Sequence, residues 1–419
     1  MESYRNWAGN YTYGTTNLHV PESLEQVQEY VAGFNRIKVL GTRHSFNGIA
    51  DSRENLLSLE KLNRVVELDK QRRKVTVEGG IRYGELCRYL HSHGFALHNL
   101  ASLPHITVAG ACATATHGSG DRNGSLAAAV HALEIIKADG EKIVLSRDQG
   151  DGILEGAVVG LGGLGVVTKI TLDVVPVFQI SQHVYDNLPL AQLKDNFDAI
   201  FSSAYSVSLF TDWKQSVFNQ VWQKRVLSQD ADPVREDFFG AVRALENRHP
   251  VPGLTAENCS EQLGIPGPWH ERLPHFRMDF TPSAGEELQS EYFVARQDAY
   301  SALQAIEQLK ERIAPLLHVS EVRTIAADDL WMSPCYQRDS VAFHFTWKPL
   351  VEDVRQLLPI LEEKLEPYHA RPHWAKLFAM TPSRLRSLYE KLPDFQQLLL
   401  RYDPEGKFRN DYLNHYIMQ

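Results

Sequence analysis

The spacing of apolar and polar positions divides this 419-residue chain into alternating helices and short strands. Residues 21–33 predict a helix, opened by Pro21 and carrying Leu24, Val27 and Val31 on one face. Arg36–Leu40 follows as a short strand, which Gly41-Thr42 breaks with a tight turn. Val65–Leu68 and Lys74–Glu78 read as a hairpin around the solvated basic turn Gln71-Arg-Arg-Lys74, and Gly79-Gly80 leads into a helix over Tyr83–His93. Val130–Ala138, the turn Asp139-Gly140 and Lys142–Leu145 predict a second hairpin, and Val166–Val175 another strand. Strand pairs interleaved with helices point to an α+β domain rather than a doubly wound sheet.

Beyond about residue 178 the pattern changes. Aromatic residues and prolines rise through 201–282. Amphipathic stripes then predict helices over about 297–313 (Leu303, Ile306, Leu309, Ile313) and 351–366 (Val354, Leu357, Leu358, Leu361, Leu365). Strands are expected at about 316–325 and 340–347, so a second α/β domain follows the first. The length suits two domains.

Composition narrows the class. Hydrophobic content of 43% and charged content of 23% are ordinary for a soluble globular protein, and the net charge of −9 argues against nucleic acid as a partner. Cys87, Cys112, Cys259 and Cys335 form no C-x-x-C pair, so neither a zinc site nor a disulfide framework is expected. The start, Met1–Trp7, carries no apolar signal segment, and no apolar run is long enough for a bilayer. A cytoplasmic protein without a membrane partner or a metal is expected.

Two loops suggest chemistry. Val39-Leu-Gly-Thr-Arg-His-Ser-Phe46 sets His44 just after a strand, and Ala109–Gly120 is a second small-residue loop containing His117. Glycine lets backbone N–H groups approach phosphate oxygens, so the pair reads as a cradle for a large anionic cofactor and points towards a flavoenzyme. Gly160-Leu-Gly-Gly-Leu-Gly165 matches the dinucleotide fingerprint letter for letter, but a β-branched, strand-like run follows it instead of a helix. In Val319–Ile325, Glu321 and Arg323 share one face, as do His344 and Thr346 in Val341–Trp347. Such faces are either solvated exteriors or a surface for a polyhydroxylated ligand, because a carboxylate and a guanidinium each bind vicinal hydroxyls. His373-Trp-Ala-Lys376 is either a surface pair or, beside a flavin, a group that stabilises a developing alkoxide; His344 or His373 is a candidate base.

With these residues assembled, the chain resembles the alditol-oxidising branch of the vanillyl-alcohol oxidase flavoprotein family, with a PCMH-type FAD-binding domain. The resemblance runs from Asn6-Trp-Ala-Gly-Asn10 to Asp403-Pro-Glu-Gly-Lys-Phe408. It is specific at Ala101-Ser-Leu-Pro-His105, Thr116–Gly120, Pro266–Phe276 and His373–Lys376. It implies a two-domain α+β flavoprotein: an FAD domain at 1–178, an α/β substrate domain at 179–380, and a segment at 381–419 returning to the FAD domain. It implies FAD bound covalently through His44. Val39, Leu40, Gly41, Thr42, Arg43, Ser45, Ser102, Thr107, Gly110, Thr114, Ala115, Thr116, His117, Val167 and His373 would also contact the cofactor. Ser102, Glu321, Arg323 and Thr346 would hold substrate hydroxyls, while His344 and Lys376, with Thr346 and His373 beside them, would serve catalysis. The implied reaction oxidises the terminal alcohol of a polyol such as xylitol or sorbitol to the aldose, with hydride passing to the flavin and dioxygen reduced to hydrogen peroxide. An aldonolactone oxidase or dehydrogenase of the same fold is the alternative. A non-catalytic flavin- or sugar-binding protein and a nicotinamide dehydrogenase fit the residues less well.

Overall fold

The computed structural model of the chain describes residues 4–228, 234–280 and 286–419. Its N-terminal half is built on an antiparallel five-stranded sheet. The strand order is Val65–Asp69, Lys74–Glu78, Val166–Asp173, Val130–Ile136, Lys142–Ser146. Both predicted hairpins pair as expected. The strand after Gly165 alternates buried and half-buried residues, and no helix starts there, which removes the dinucleotide reading of the glycine string. A small parallel sheet of Leu18–His19, Leu56–Leu57 and Lys38–Val39 stands beside it. The predicted strand at 36–40 is thus two residues long, because Ile37 N–H bonds Lys407 O (3.0 Å) outside the sheet.

A second, ten-stranded sheet begins at Gln179. Its central strands run in the order Ser206–Thr211, Leu317–Ile325, Ser340–Trp347, Leu288–Ala295. On Ser340–Trp347 the apolar face packs as predicted, with the Phe345 and Trp347 rings stacked 4.9 Å apart. Helix Val351–Leu365 buries all five residues of its predicted stripe. The helix expected at 297–313 is broken: α-helix spans Ala299–Glu307 and Lys310–Ile313, and Leu309 between them leaves the helical region (φ −98°, ψ 5°). The break keeps Leu303, Ile306, Leu309 and Ile313 all buried.

The last segment, with helices Pro382–Leu388 and Leu392–Tyr402, runs back over the N-terminal half. Phe408 joins the core of Val27, Val31 and Ile37, and Asn410 Nδ2 donates to Gly48 O and Asp51 O, each at 2.9 Å. Among the described residues no helix is long and apolar enough to cross a membrane.

Candidate active site

A cavity of about 930 Å3 is lined by residues from both sheets. Every predicted cofactor contact except Ala115 lines it: Val39 to Ser45, Ser102, Thr107, Gly110, Thr114, Thr116, His117, Val167 and His373. Ala115 instead turns into the core, 2% exposed, with a left-handed φ of 55°. Part of the wall is bare backbone. A Cβ on Gly79 would stand 2.1 Å from Val167 O, and one on Gly80 1.8 Å from Leu59 O, so no side chain fits at either position.

His44 sits where the Lys38–Val39 strand gives way to a turn in which Arg43 takes a left-handed φ of 63°. Its Nδ1 lies 3.1 Å from Thr42 Oγ1 and its Nε2 2.7 Å from His105 Nε2, while its ring stacks on Trp7 at 5.2 Å. Burial, then the neighbouring His105, push the His44 imidazole down to about 3, so it is neutral at physiological pH. Trp7 Nε1 and His105 Nδ1 are buried beside the cavity without a hydrogen-bond partner in the protein.

The charged wall comes from the second sheet. Phe210, Glu321, His344 and Glu291 lie in register on four successive strands, so their side chains project from one face into the cavity. Glu291, 1% exposed, is the hub. Its carboxylate accepts from Lys376 Nζ at 2.5 Å and Arg323 Nη2 at 2.6 Å, with His117 Nε2 at 3.3 Å. Burial pushes the Glu291 carboxyl upward, but Lys376, His117 and Arg323 outweigh it and hold it well below the usual range. Lys376 Nζ also lies 2.7 Å from His344 Nδ1, and His344 Nε2 faces Thr346 Oγ1 at 3.1 Å. A protonated lysine only donates, so Nδ1 accepts and the His344 proton rests on Nε2. Burial and then Lys376 bring His344 down to about 4. Burial lowers Lys376 itself, against the pull of Glu291. His373 is held well below its usual range, first by burial and then by Lys376.

The loop carrying Lys376 is fixed from two sides. His373 N–H donates to Glu291 O (2.9 Å) and Leu377 N–H to Gln289 O (2.8 Å), tying it to the second sheet. Phe46 N–H donates to Ala375 O (2.7 Å), and Asn47 Nδ2 to Trp374 O (2.9 Å) and Lys376 O (2.8 Å), tying it to the His44 loop. The predicted Glu321, Arg323, His344, Thr346, His373, Lys376 and Ser102 thus meet in one cavity. Sequence reasoning missed Glu291, His275, His105 and Trp7. Glu291 left a usable signal, since a carboxylate amid Tyr292, Phe293 and Val294 is rarely buried unless paired.

Comparison with known proteins bears on this cavity. Residues 17–146 match the family model described as FAD binding domain, and residues 284–416 that of D-arabinono-1,4-lactone oxidase. The chain is 47% identical over 414 residues to an alditol oxidase of Streptomyces sp., covering 97% of each. It is 28% identical to L-gulonolactone oxidase of Mus musculus, over 98% of this chain and 97% of that one. A solved cholesterol oxidase from B. sterolicum superposes with a TM-score of 0.80 at 14% identity, covering 99% of this chain and 96% of that one, and so shares the fold. The residues present fit FAD. The volume lies at the large end of ligand cavities, and the buried polar atoms Trp7 Nε1 and His105 Nδ1 have no partner within the protein.

Proposed function

The chain belongs to the alditol oxidase family of FAD-dependent oxidoreductases, and from that premise we propose that it oxidises the terminal primary alcohol of polyols such as xylitol or sorbitol to the aldose. We take residues 1–178 as the FAD domain, 179–380 as the substrate domain and 381–419 as the returning segment. FAD, when bound, would supply the hydride acceptor, with dioxygen as the terminal oxidant reduced to hydrogen peroxide. The first cradle loop, Val39 to Ser45 with His44 as the covalent anchor, would hold it together with Thr107, Gly110, Thr114, Thr116, His117 and Val167.

The observation that carries the reading is the Glu291–Lys376–His344 cluster beside that cradle. A primary alcohol donates hydride only as its hydroxyl proton leaves. Lys376 hands one of its own protons across the 2.7 Å contact to His344 Nδ1 and takes the hydroxyl proton in its place, so the added charge rests on the imidazole. The Glu291 carboxylate, 2.5 Å from Nζ, balances that charge, while the ammonium stabilises alkoxide character at the reacting carbon. Glu321, Arg323, Thr346 and Ser102 supply acceptors and donors for the remaining hydroxyls. His117 and His373, both lowered first by burial, are neutral and line the approach between cradle and cluster. Four buried free thiols support a reducing, cytoplasmic setting.

Anaerobic mixing with xylitol tests the reading. Bleaching of the flavin band, reversed with release of hydrogen peroxide on admitting air, is expected. Bleaching by an aldonolactone and not by xylitol would transfer the activity to the lactone class suggested by the match over 284–416.

A further inference from the structure

The motif Pro266–Phe276 has no part in the chemistry above, yet one of its residues reaches the substrate wall. His275 Nε2 lies 2.8 Å from Glu321 Oε1. Behind it stands Lys224, 1% exposed, whose Nζ donates to Arg272 O (2.8 Å), Leu273 O (2.5 Å) and Pro274 O (3.0 Å) and lies 3.4 Å from His275 Nδ1. These carbonyls end the short helix Trp269–Arg272 and need donors; an ammonium has three. A lone pair, not an N–H, must face an ammonium, so the His275 proton sits on Nε2 and is given to Glu321. Phe210 and Trp222 meet the ring edge-on at 5.5 and 5.4 Å and fix its plane. Glu321 Oε2 lies 3.5 Å from Arg323 Nε.

We propose that Lys224 and His275 are positioning residues that hold the Glu321 carboxylate as an acceptor for a polyol hydroxyl remote from the reacting carbon, and so set a preference for long polyols over short diols. The in-register row gives the ruler. Glu321 stands one strand from His344 and two from Glu291, and strands are spaced about 4.8 Å apart. A substrate reacting beside Lys376 therefore reaches Glu321 only when several carbons extend past the reacting end. Without His275, the carboxylate is free to turn onto Arg323 and the hydroxyl loses its acceptor.

The proposal rests on the polyol reading, and the test separates the two. Steady-state kinetics with xylitol and with 1,2-propanediol are compared for the holoenzyme and for His275→Asn, His275→Gln and His275→Phe. The glutamine amide sets an N–H near Nε2, whereas the shorter asparagine sets it near Nδ1 and misses Glu321. His275→Asn is expected to raise the xylitol KM about tenfold with kcat within about threefold, leaving propanediol kinetics within about threefold. His275→Gln should restore the xylitol KM to within about threefold of the unsubstituted enzyme. Equal losses on both substrates, or a glutamine variant no better than asparagine, overturn the proposal. Should His275→Asn not fold, His275→Phe, which keeps a ring against Phe210 and Trp222 but offers Glu321 no N–H, decides: a KM rise confined to xylitol supports the proposal, and a loss shared with propanediol overturns it. An unsubstituted enzyme inert to xylitol overturns the polyol reading as well.

Discussion

The arrangement of the site hinges on a buried carboxylate. Replacing Glu291 by glutamine leaves Lys376 and Arg323 as buried cations without their shared counter-charge. Removing one partner of such a pair costs about 3–5 kcal/mol. We expect Glu291→Gln to lower the thermal midpoint clearly and to reduce kcat for xylitol by more than tenfold, measured on flavin-loaded protein. His44 gives a second prediction. In His44→Ala, acid precipitation should release the flavin into the supernatant, whereas the unsubstituted protein should keep it in the pellet; flavin retained in the variant's pellet would contradict the anchor assignment. At this scale legibility followed local order. His44, Lys376 and the Glu321/Arg323 and His344/Thr346 pairs stand out because each sits in a recognisable loop or on one alternating strand face. Glu291 and His275 did not, because their partners lie 85 and 46 positions away in sequence and only the sheet and the 266–276 turn bring them together.

Elements were read best where period and length agreed. Ser340–Trp347 and Val351–Leu365 match their predicted spans almost residue for residue, since one alternates strictly and the other carries an unbroken stripe. The break at Leu309 was not legible, because a stripe spaced three, three and four residues fits a continuous helix equally well. Gly160–Gly165 shows how context overrides a motif: Leu161, Gly162 and Gly165 all take positive φ, making a turn that delivers the chain into a strand. At Gly165 (φ 139°) a Cβ would stand 2.3 Å from Ile136 O, where Val166 pairs with Ile136. Gly165→Ala should therefore lower the melting temperature by about 3 °C or more and reduce flavin content, followed by thermal unfolding and by absorbance. An unchanged midpoint would show that the turn relaxes without strain.

On the scale of the whole molecule, the fold tolerates wide sequence change, as the TM-score of 0.80 at 14% identity shows. Stability should be sensitive to acid for reasons outside the cavity. His183 and His270 are both pushed down to about 4, first by burial, and the Nδ1 of each has no partner. An unfolded histidine titrates near 6.5, so between about 6.5 and 4 the unfolded chain binds protons that the folded one refuses. Their contribution is complete above about pH 6.5 and is lost as pH falls towards 4. The thermal midpoint should therefore drop between pH 7 and pH 5, and a flat profile there would exclude the buried-neutral assignment. Finally, the bonds from Phe46 and Asn47 to Ala375, Trp374 and Lys376 rivet the flavin-anchoring loop to the lysine loop. A seam riveted at its reactive centre ties the placement of His44 to that of Lys376, so a substitution at Asn47 would disturb anchor and lysine together.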